Sequence, residues 1–274
     1  MGRYIKYEIK GSYKFILGVL ALVLILTTVL YTYIAKKESS PVIALASMII
    51  FGTALTTFLY IVGSFRKELY EDRGYLTFTL PLTGHEILGA KLITATIWFL
   101  LLGIVIIGYN TIMLANMAPI KPSLKEIIAQ VFPHITKGTV MSFLLVLLGG
   151  ISTLILIYLS MALGRVTFRN KKIGGLWFVI FLVLSMIVGI GQAKIVISMP
   201  YYVNLDTFKI VSYESIMKGM NYTSVSIFEI NDAALLTGMG DQYILNIAGF
   251  IYMIGIMIIN FLLTGYIIEN KIDL

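Results

Sequence analysis

The sequence predicts an all-α membrane protein that crosses the bilayer six times. Of the 274 residues, 58% are hydrophobic and only 13% are charged, whereas about a quarter of the residues are charged in soluble domains. Six stretches without Asp, Glu, Lys or Arg are each long enough to cross roughly 30 Å of hydrocarbon as a helix. Strands of an outer-membrane barrel would instead alternate over about ten residues. The pattern therefore indicates a polytopic helical protein.

The predicted spans cover approximately residues 15–34, 42–65, 92–114, 139–163, 174–193 and 243–268. The remaining residues are divided among connectors, so we expect one transmembrane domain over 1–274 and no separate soluble domain. The first span is long for a signal-peptide core and has no small-residue cleavage site after Tyr33, so we interpret it as retained.

Residues 1–14 predict an amphipathic helix at the membrane interface. Four basic residues recur at spacings of three or four and share one helical face: Arg3, Lys6, Lys10 and Lys14. Ile5 and Ile9 lie on a neighbouring face, which is typical of an interfacial helix. The alternative is a basic flank that only sets the orientation of the first span.

The distribution of Lys and Arg predicts that both termini are cytoplasmic. In that orientation the inner segments 1–14, 66–91, 164–173 and 269–274 contain more than twice the density of basic residues found in the outer segments. The net charge of +7 is then explained by topology and by anionic lipid headgroups, and nucleic acid is not expected as a partner.

Residues 66–91 form a charged insert between the second and third spans, which we interpret as a cytoplasmic docking element. Pro81 ends any regular structure before it, and Thr83 followed by Glu86 has the form of a capping box. A helix is therefore predicted to begin near Gly84 and to continue into the third span.

Residues 194–242 form the longest connector, predicted to lie outside. Its apolar clusters, 195–203, 208–211 and 225–230, predict that it packs back on the membrane helices or dips into the bilayer. A solvated loop is the alternative.

Two features inside the spans are interpreted mainly as packing devices: the glycines at 149, 150, 189 and 191, and the amides of Asn110, Gln192, Asn246 and Asn260. A substrate path is the alternative for the amides.

The sequence lacks most of the side chains that membrane enzymes and ion-driven transporters use for catalysis or ion transfer. The chain has no cysteine, so it has no disulfide or thiolate site. His85 and His134 are expected on opposite sides of the membrane, which excludes a metal site between them. The predicted spans contain no charged residue or histidine, and the sequence has no HExxH or GxSxG pattern. We therefore expect no enzyme activity and no cofactor in this chain, and an energy source in a partner.

The order of residues in the insert resembles a motif of type-two ABC exporter permeases: acidic residues, Gly-Thr/Tyr-Leu, Leu-x-x-Pro, then a polar turn and a Gly-x-Lys that opens the third span. The matching positions are Glu71, Asp72, Arg73, Gly74, Tyr75, Leu76, Leu80, Pro81, Leu82, Thr83, Ile87, Leu88 and Lys91. The layout of the whole chain, with a basic N-terminal helix and six spans, is also similar to that family.

The resemblance implies a half-transporter. Two permeases, as a second copy or a paralogue, would associate with two cytoplasmic ATPase subunits that bind ATP and Mg. The insert would provide a coupling helix, whose contacts or orientation would depend on Glu71, Asp72, Arg73, Gly74, Leu76, Leu80 and Pro81. The second inner loop would be its shorter counterpart or a simple positive-inside anchor, through Arg165, Arg169, Lys171 and Lys172. The outer loop would form short half-buried helices that cap the exit.

The expected function is therefore export of a hydrophobic or amphipathic molecule, such as a peptide toxin, bacteriocin, antibiotic or lipid, across a plasma membrane of bacterial type. The charge-free spans suit apolar cargo. The alternatives are an ion-driven secondary carrier, which the absence of charge in the spans disfavours, and a membrane enzyme or sensor, for which no catalytic constellation is present.

Overall fold

A computed structural model describes residues 1–34, 41–71, 81–117, 137–167, 175–205, 207–212, 226–227, 235–239 and 242–271. Its helices are α1 (Gly2–Ile34), α2 (Pro41–Tyr70), α3 (Gly84–Met117), α4 (Lys137–Thr167), α5 (Leu176–Ser198) and α6 (Ile247–Asn270). Its strands are β1 (Tyr201–Asn204), β2 (Ile210–Ser212), β3 (Ser226–Ile227), β4 (Leu236–Met239) and β5 (Gln242–Asn246).

Among the residues that the structure describes, six helices are long and apolar enough to cross a membrane, in agreement with the number that the sequence predicts. The helices α1 to α4 have 33, 30, 34 and 31 residues, which corresponds to about 45–51 Å at ~1.5 Å per residue. With 23 and 24 residues, α5 and α6 measure only about 35 Å. The first four helices therefore exceed the thickness of the hydrocarbon layer, whereas α5 and α6 nearly match it.

The predicted boundary between an interfacial helix and the first span is absent. Residues 2–34 form one continuous helix, with no break after Lys14. The physical reason is that one helical face is packed along its length, since Tyr4, Ile16 and Val23 are all buried. The four basic residues do share an exposed face of this helix, as predicted.

The chain divides into two compact units, of which the first contains α1, α2 and α3. In its core, the buried side chains of Ile16, Trp98 and Leu102 pack together. The indole nitrogen of Trp98 on α3 donates a hydrogen bond to Ser12 Oγ on α1 at 2.9 Å. Further along the same two helices, the Tyr31 hydroxyl donates to Asn110 Oδ1 at 2.9 Å. Asn110 thus joins two helices, as the packing interpretation predicts.

The second unit contains α4, α5, α6 and a five-stranded antiparallel sheet in the order β2-β1-β5-β4-β3. The central strand β5 leads directly into α6, and Asn246 at their junction is fully buried. The Asn246 side-chain oxygen accepts a hydrogen bond from Gly249 N–H at 2.7 Å, and its amide nitrogen donates to Met199 O at 3.2 Å. Asn246 therefore caps α6 and ties it to the end of α5.

The sheet corrects three expectations, which concern the fold class, the connector 194–242 and the start of the sixth helix. The fold is mostly helical and not all-α, and the described residues of the connector after α5 are mainly strands, not the short half-buried helices that the resemblance implied. The sixth helix begins at Ile247 and not at 243, because residues 242–246 belong to β5. Short apolar runs rich in Tyr, Val and Ile fit a strand as well as a buried helical turn, so periodicity alone did not separate them.

One described residue of this connector, Leu235, packs against two of the long helices. Leu235 and Leu245 from the sheet region form a buried cluster with Leu145 of α4 and Met253 of α6.

Close packing also explains one of the glycines in the spans. A Cβ atom at Gly191 on α5 would clash with the Tyr252 hydroxyl of α6, which donates to Val188 O at 3.3 Å.

Candidate functional site

The candidate coupling segment, residues 71–83 of the charged insert, connects α2, which ends at Tyr70, to α3, which begins at Gly84. Its first predicted residue, Glu71, is exposed, and its backbone N–H donates to Lys67 O at 3.0 Å as a continuation of the helix. Pro81 is also exposed. The other predicted coupling residues lie outside the described residues: Asp72, Arg73, Gly74, Leu76 and Leu80. The structure therefore describes the two ends of this segment.

The beginning of α3 has the capping box that the sequence predicts. The backbone N–H of Thr83 donates to Glu86 Oε2 at 3.0 Å, and the backbone N–H of Glu86 donates to Thr83 Oγ1 at 3.2 Å. Leu82, just before the cap, packs against the cluster that contains Ile87, which is the arrangement of a hydrophobic staple. These contacts set the direction in which the chain enters α3.

We expect Thr83→Ala to destabilise this end of α3 by about 1 kcal/mol, because the Glu86 amide loses its acceptor. Faster amide hydrogen exchange at Glu86 and Ile87 would measure the effect. The matched control is Thr111→Ala in the same helix, where the hydroxyl only bonds back to Ile107 O at 2.9 Å. This control should be close to neutral. Equal exchange rates in both variants and in the parent chain would contradict the assignment of the cap.

A buried charge cluster lies at the base of the segment. It consists of Tyr4, Glu8, Glu68 and Lys91. The Lys91 amino nitrogen lies 2.8 Å from Glu68 Oε1 and 3.2 Å from Glu8 Oε2, and the Lys91 side chain is only 4% exposed. The Tyr4 hydroxyl donates a hydrogen bond to Glu68 Oε2 at 3.3 Å. One ammonium group therefore binds two carboxylates from two different helices.

Three helices bring the cluster together. Glu8 lies two turns into α1, Glu68 lies in the last turn of α2, and Lys91 lies two turns into α3. The apolar contacts around the cluster hold these helix ends in place: Tyr4 packs with Ile87 and Ala90. Further buried side chains at the same helix ends are Phe65, Leu69 and Leu88.

Burial decides how much stability is lost when one of these charges is removed. The exposed fractions of the Glu8 and Glu68 side chains are 19% and 11%, so water screens the charges much less than it screens a surface pair. Exposed ion pairs contribute about 0–1 kcal/mol, whereas removing one partner of a buried pair costs about 3–5 kcal/mol. The cluster therefore fixes both ends of the candidate coupling segment to α1.

The basic residues of α1 lie on another face. Arg3, Lys6, Lys10 and Lys14 are all exposed, so one surface of the helix is cationic while Tyr4 and Glu8 face the cluster. In the second unit, Arg165 lies in the last turn of α4. The other residues of its predicted inner loop, Arg169, Lys171 and Lys172, lie outside the described residues.

Sequence reasoning missed Tyr4, Glu8 and Glu68 as site residues, although it included Lys91 in the family motif. A signal was present. Glu8 is the one acidic residue among the first fourteen, and it follows Tyr4 by four residues on the face opposite the basic stripe. An acid on the apolar side of an amphipathic helix indicates a buried partner, but the pattern does not identify which residue that partner is.

Within the part of the chain that the structure describes, no group of three His, Cys, Asp or Glu side chains is placed to hold a metal ion. Comparison of the chain with protein-family models, curated proteins and solved structures finds no match in any of the three. The six apolar helices support the class of multi-pass membrane proteins.

Proposed function

We propose that this chain is the membrane-spanning permease subunit of an ATP-driven ABC exporter. In this proposal the segment between α2 and α3 docks on a separate cytoplasmic ATPase, and the six helices contribute to the export pathway. Two ATPase subunits and a second permease, identical or paralogous, complete the assembly. Both termini are cytoplasmic, and the plasma membrane is of bacterial type. The cargo is hydrophobic or amphipathic, since the predicted spans contain no charged residue.

The observation that carries the proposal is the buried charge cluster at the base of the candidate coupling segment. Glu68 and Lys91 precede and follow the segment, and both are tied to Glu8 or Tyr4 of α1. A displacement of the segment by a partner would therefore move the ends of α1, α2 and α3 together. A lever between an ATPase and a membrane pathway needs such a connection, whereas a loop that only links two spans does not.

The motif in residues 71–91 also supports the proposal. The capping box at Thr83 and Glu86 and the burial of Lys91 give that part of the motif a structural role. ATP hydrolysis is assigned to the partner, because the chain has no phosphate-binding loop: Ala90 follows Gly89 where a Walker motif requires Lys.

The test is a double substitution, Leu76→Asp with Leu80→Asp. If these side chains dock on the ATPase, each contributes about 1.5–3 kcal/mol, and a buried unpaired carboxylate costs several kcal/mol more. We expect the variant to insert into membranes in normal amounts but to lose copurification with an ATPase encoded beside it, or to hydrolyse ATP without export. The isolated chain should have no ATPase activity.

The matched control is Leu124→Asp with Ile128→Asp in the connector between α3 and α4, which is predicted to lie outside. This variant should retain the ATPase. If the Leu76/Leu80 variant copurifies and exports at the normal rate, the segment is not the docking element and the proposed function loses its main support.

A further inference from the structure

The hairpin formed by β1 and β2 exposes large apolar side chains. The exposed fractions are 60% for Tyr201, 76% for Phe208 and 69% for Ile210. Tyr201 pairs with Ser212, and Val203 pairs with Ile210. Tyr201 and Val203 are alternate residues of β1, so their side chains share a face. Val203 and Ile210 are directly paired and also share a face. Tyr201 and Ile210 therefore lie on the same side of the hairpin. The exposed apolar side chains of Met199, Tyr201, Phe208 and Ile210 form what we term the hairpin surface.

Phe208 is held in a conformation that is unfavourable for its residue type. Its φ angle is 54°, the one positive value at a non-glycine residue in the described parts of the chain. The turn is closed by its own hydrogen bonds: Phe208 N–H donates to Asn204 O at 2.8 Å, and Thr207 N–H donates to Asn204 Oδ1 at 3.1 Å. A glycine or asparagine would fit this position with less strain. The exposed aromatic ring provides little packing within the chain to offset that strain.

The lengths of the helices indicate the level of the hairpin relative to the bilayer. At about 35 Å, α5 and α6 are only slightly longer than the ~30 Å hydrocarbon layer. The strand β1 begins three residues after α5 ends at Ser198, and β5 continues into α6 without a connecting residue. Lys194 is the one charged residue of α5 and is exposed. A lysine near a helix end typically extends towards the headgroups.

The hairpin surface is also continuous with the exposed apolar surface of α5. No residue in the most apolar stretch of α5 is buried within the chain. Its exposed apolar side chains extend through Ile197, which is 56% exposed, to Met199, which is 55% exposed, and from there to Tyr201. An apolar surface of this extent is unfavourable in water. Tyr side chains at the end of a span are typical of the membrane–water interface.

We propose that the hairpin of β1 and β2 lies in the lipid interface, on the side of the membrane where α5 ends. In this arrangement Phe208 and Ile210 insert among the upper acyl-chain segments, and Lys209 between them extends towards lipid phosphates. The aromatic ring at a strained position thus contacts lipid instead of protein. The proposal requires that α5 and α6 cross a membrane, and it does not depend on ATP-driven export.

Single spin labels can test this directly, because the chain contains no native cysteine. The full chain carrying Phe208→Cys or Ile210→Cys is labelled with a nitroxide and reconstituted into phosphatidylcholine vesicles with a quarter of phosphatidylglycerol. Collision with oxygen, which concentrates among acyl chains, is compared with collision with a water-soluble nickel chelate. Ile187→Cys in the middle of α5 is the lipid-exposed control, and Lys209→Cys is the matched neighbour.

We expect the labels at 208 and 210 to collide more often with oxygen than with the nickel chelate, as the label at 187 does. The label at 209 should show the higher nickel accessibility of the three hairpin positions. Dominant nickel accessibility at both 208 and 210 would place the hairpin in water and overturn the proposal. Low accessibility to both reagents would show that protein covers this surface, and would also overturn it. Spectral broadening that disappears on dilution with unlabelled chain would then identify the cover as a second copy.

Discussion

Replacing Lys91 by Met is expected to lower the free energy of unfolding by about 3–5 kcal/mol, because it leaves two buried carboxylates without their shared partner. The Lys91 amino nitrogen lies within 3.2 Å of both Glu8 and Glu68. Met retains most of the apolar length of the side chain, so the loss reports mainly the charge. Reversible unfolding of the purified chain in mixed micelles measures the difference between variant and parent.

The matched control is Lys67→Met on α2, one residue from Glu68, where the lysine is exposed. A surface substitution of this kind should change stability by no more than about 0.5 kcal/mol. Adding Glu8→Gln and Glu68→Gln to Lys91→Met should recover much of the lost stability, since no unpaired charge remains. If Lys91→Met and Lys67→Met have the same small effect, the buried cluster does not stabilise the first unit.

Replacing Gly249 by Ala is expected to destabilise the second unit by about 1–3 kcal/mol through overpacking. A Cβ atom at this position would lie 2.6 Å from Val196 Cγ2 on α5 and 3.0 Å from Leu235 Cδ1. Both neighbours are buried, with exposed fractions of 3% and 1%. The side chain of Val196 is stiff at χ1 because it is β-branched, so it cannot move away without shifting α5 against α6.

The control for this substitution is Gly255→Ala, less than two turns further along α6, where a Cβ atom would meet nothing within 4 Å. Alanine is favoured over glycine inside a helix by about 0.5–1 kcal/mol, so this variant should be neutral or more stable than the parent. The two substitutions thus have opposite expected signs in the same unfolding measurement. Stabilisation by Gly249→Ala would show that α5 and the sheet do not approach α6 as closely as the structure indicates.

The sequence by itself determined the number and approximate positions of the six apolar helices. The reason is that a bilayer requires about 20 apolar residues for each crossing, and that requirement is local. The beginning of α3 was also predictable, because Thr83 and Glu86 satisfy each other's backbone groups within one turn. The shared exposed face of Arg3, Lys6, Lys10 and Lys14 followed from the helical period alone.

The tertiary structure decided the features that depend on residues far apart in the chain. Glu8, Glu68 and Lys91 lie on three helices, and their burial results from the packing of Tyr4 on Ile87 and Ala90, which helical periodicity cannot specify. The sheet depends on the pairing of β1 with β5 across some 40 residues, although each strand is short enough to be read as a helical turn. Local patterns set which segments are apolar, whereas only long-range packing sets which charge is buried, which strand is paired and which apolar surface is left exposed.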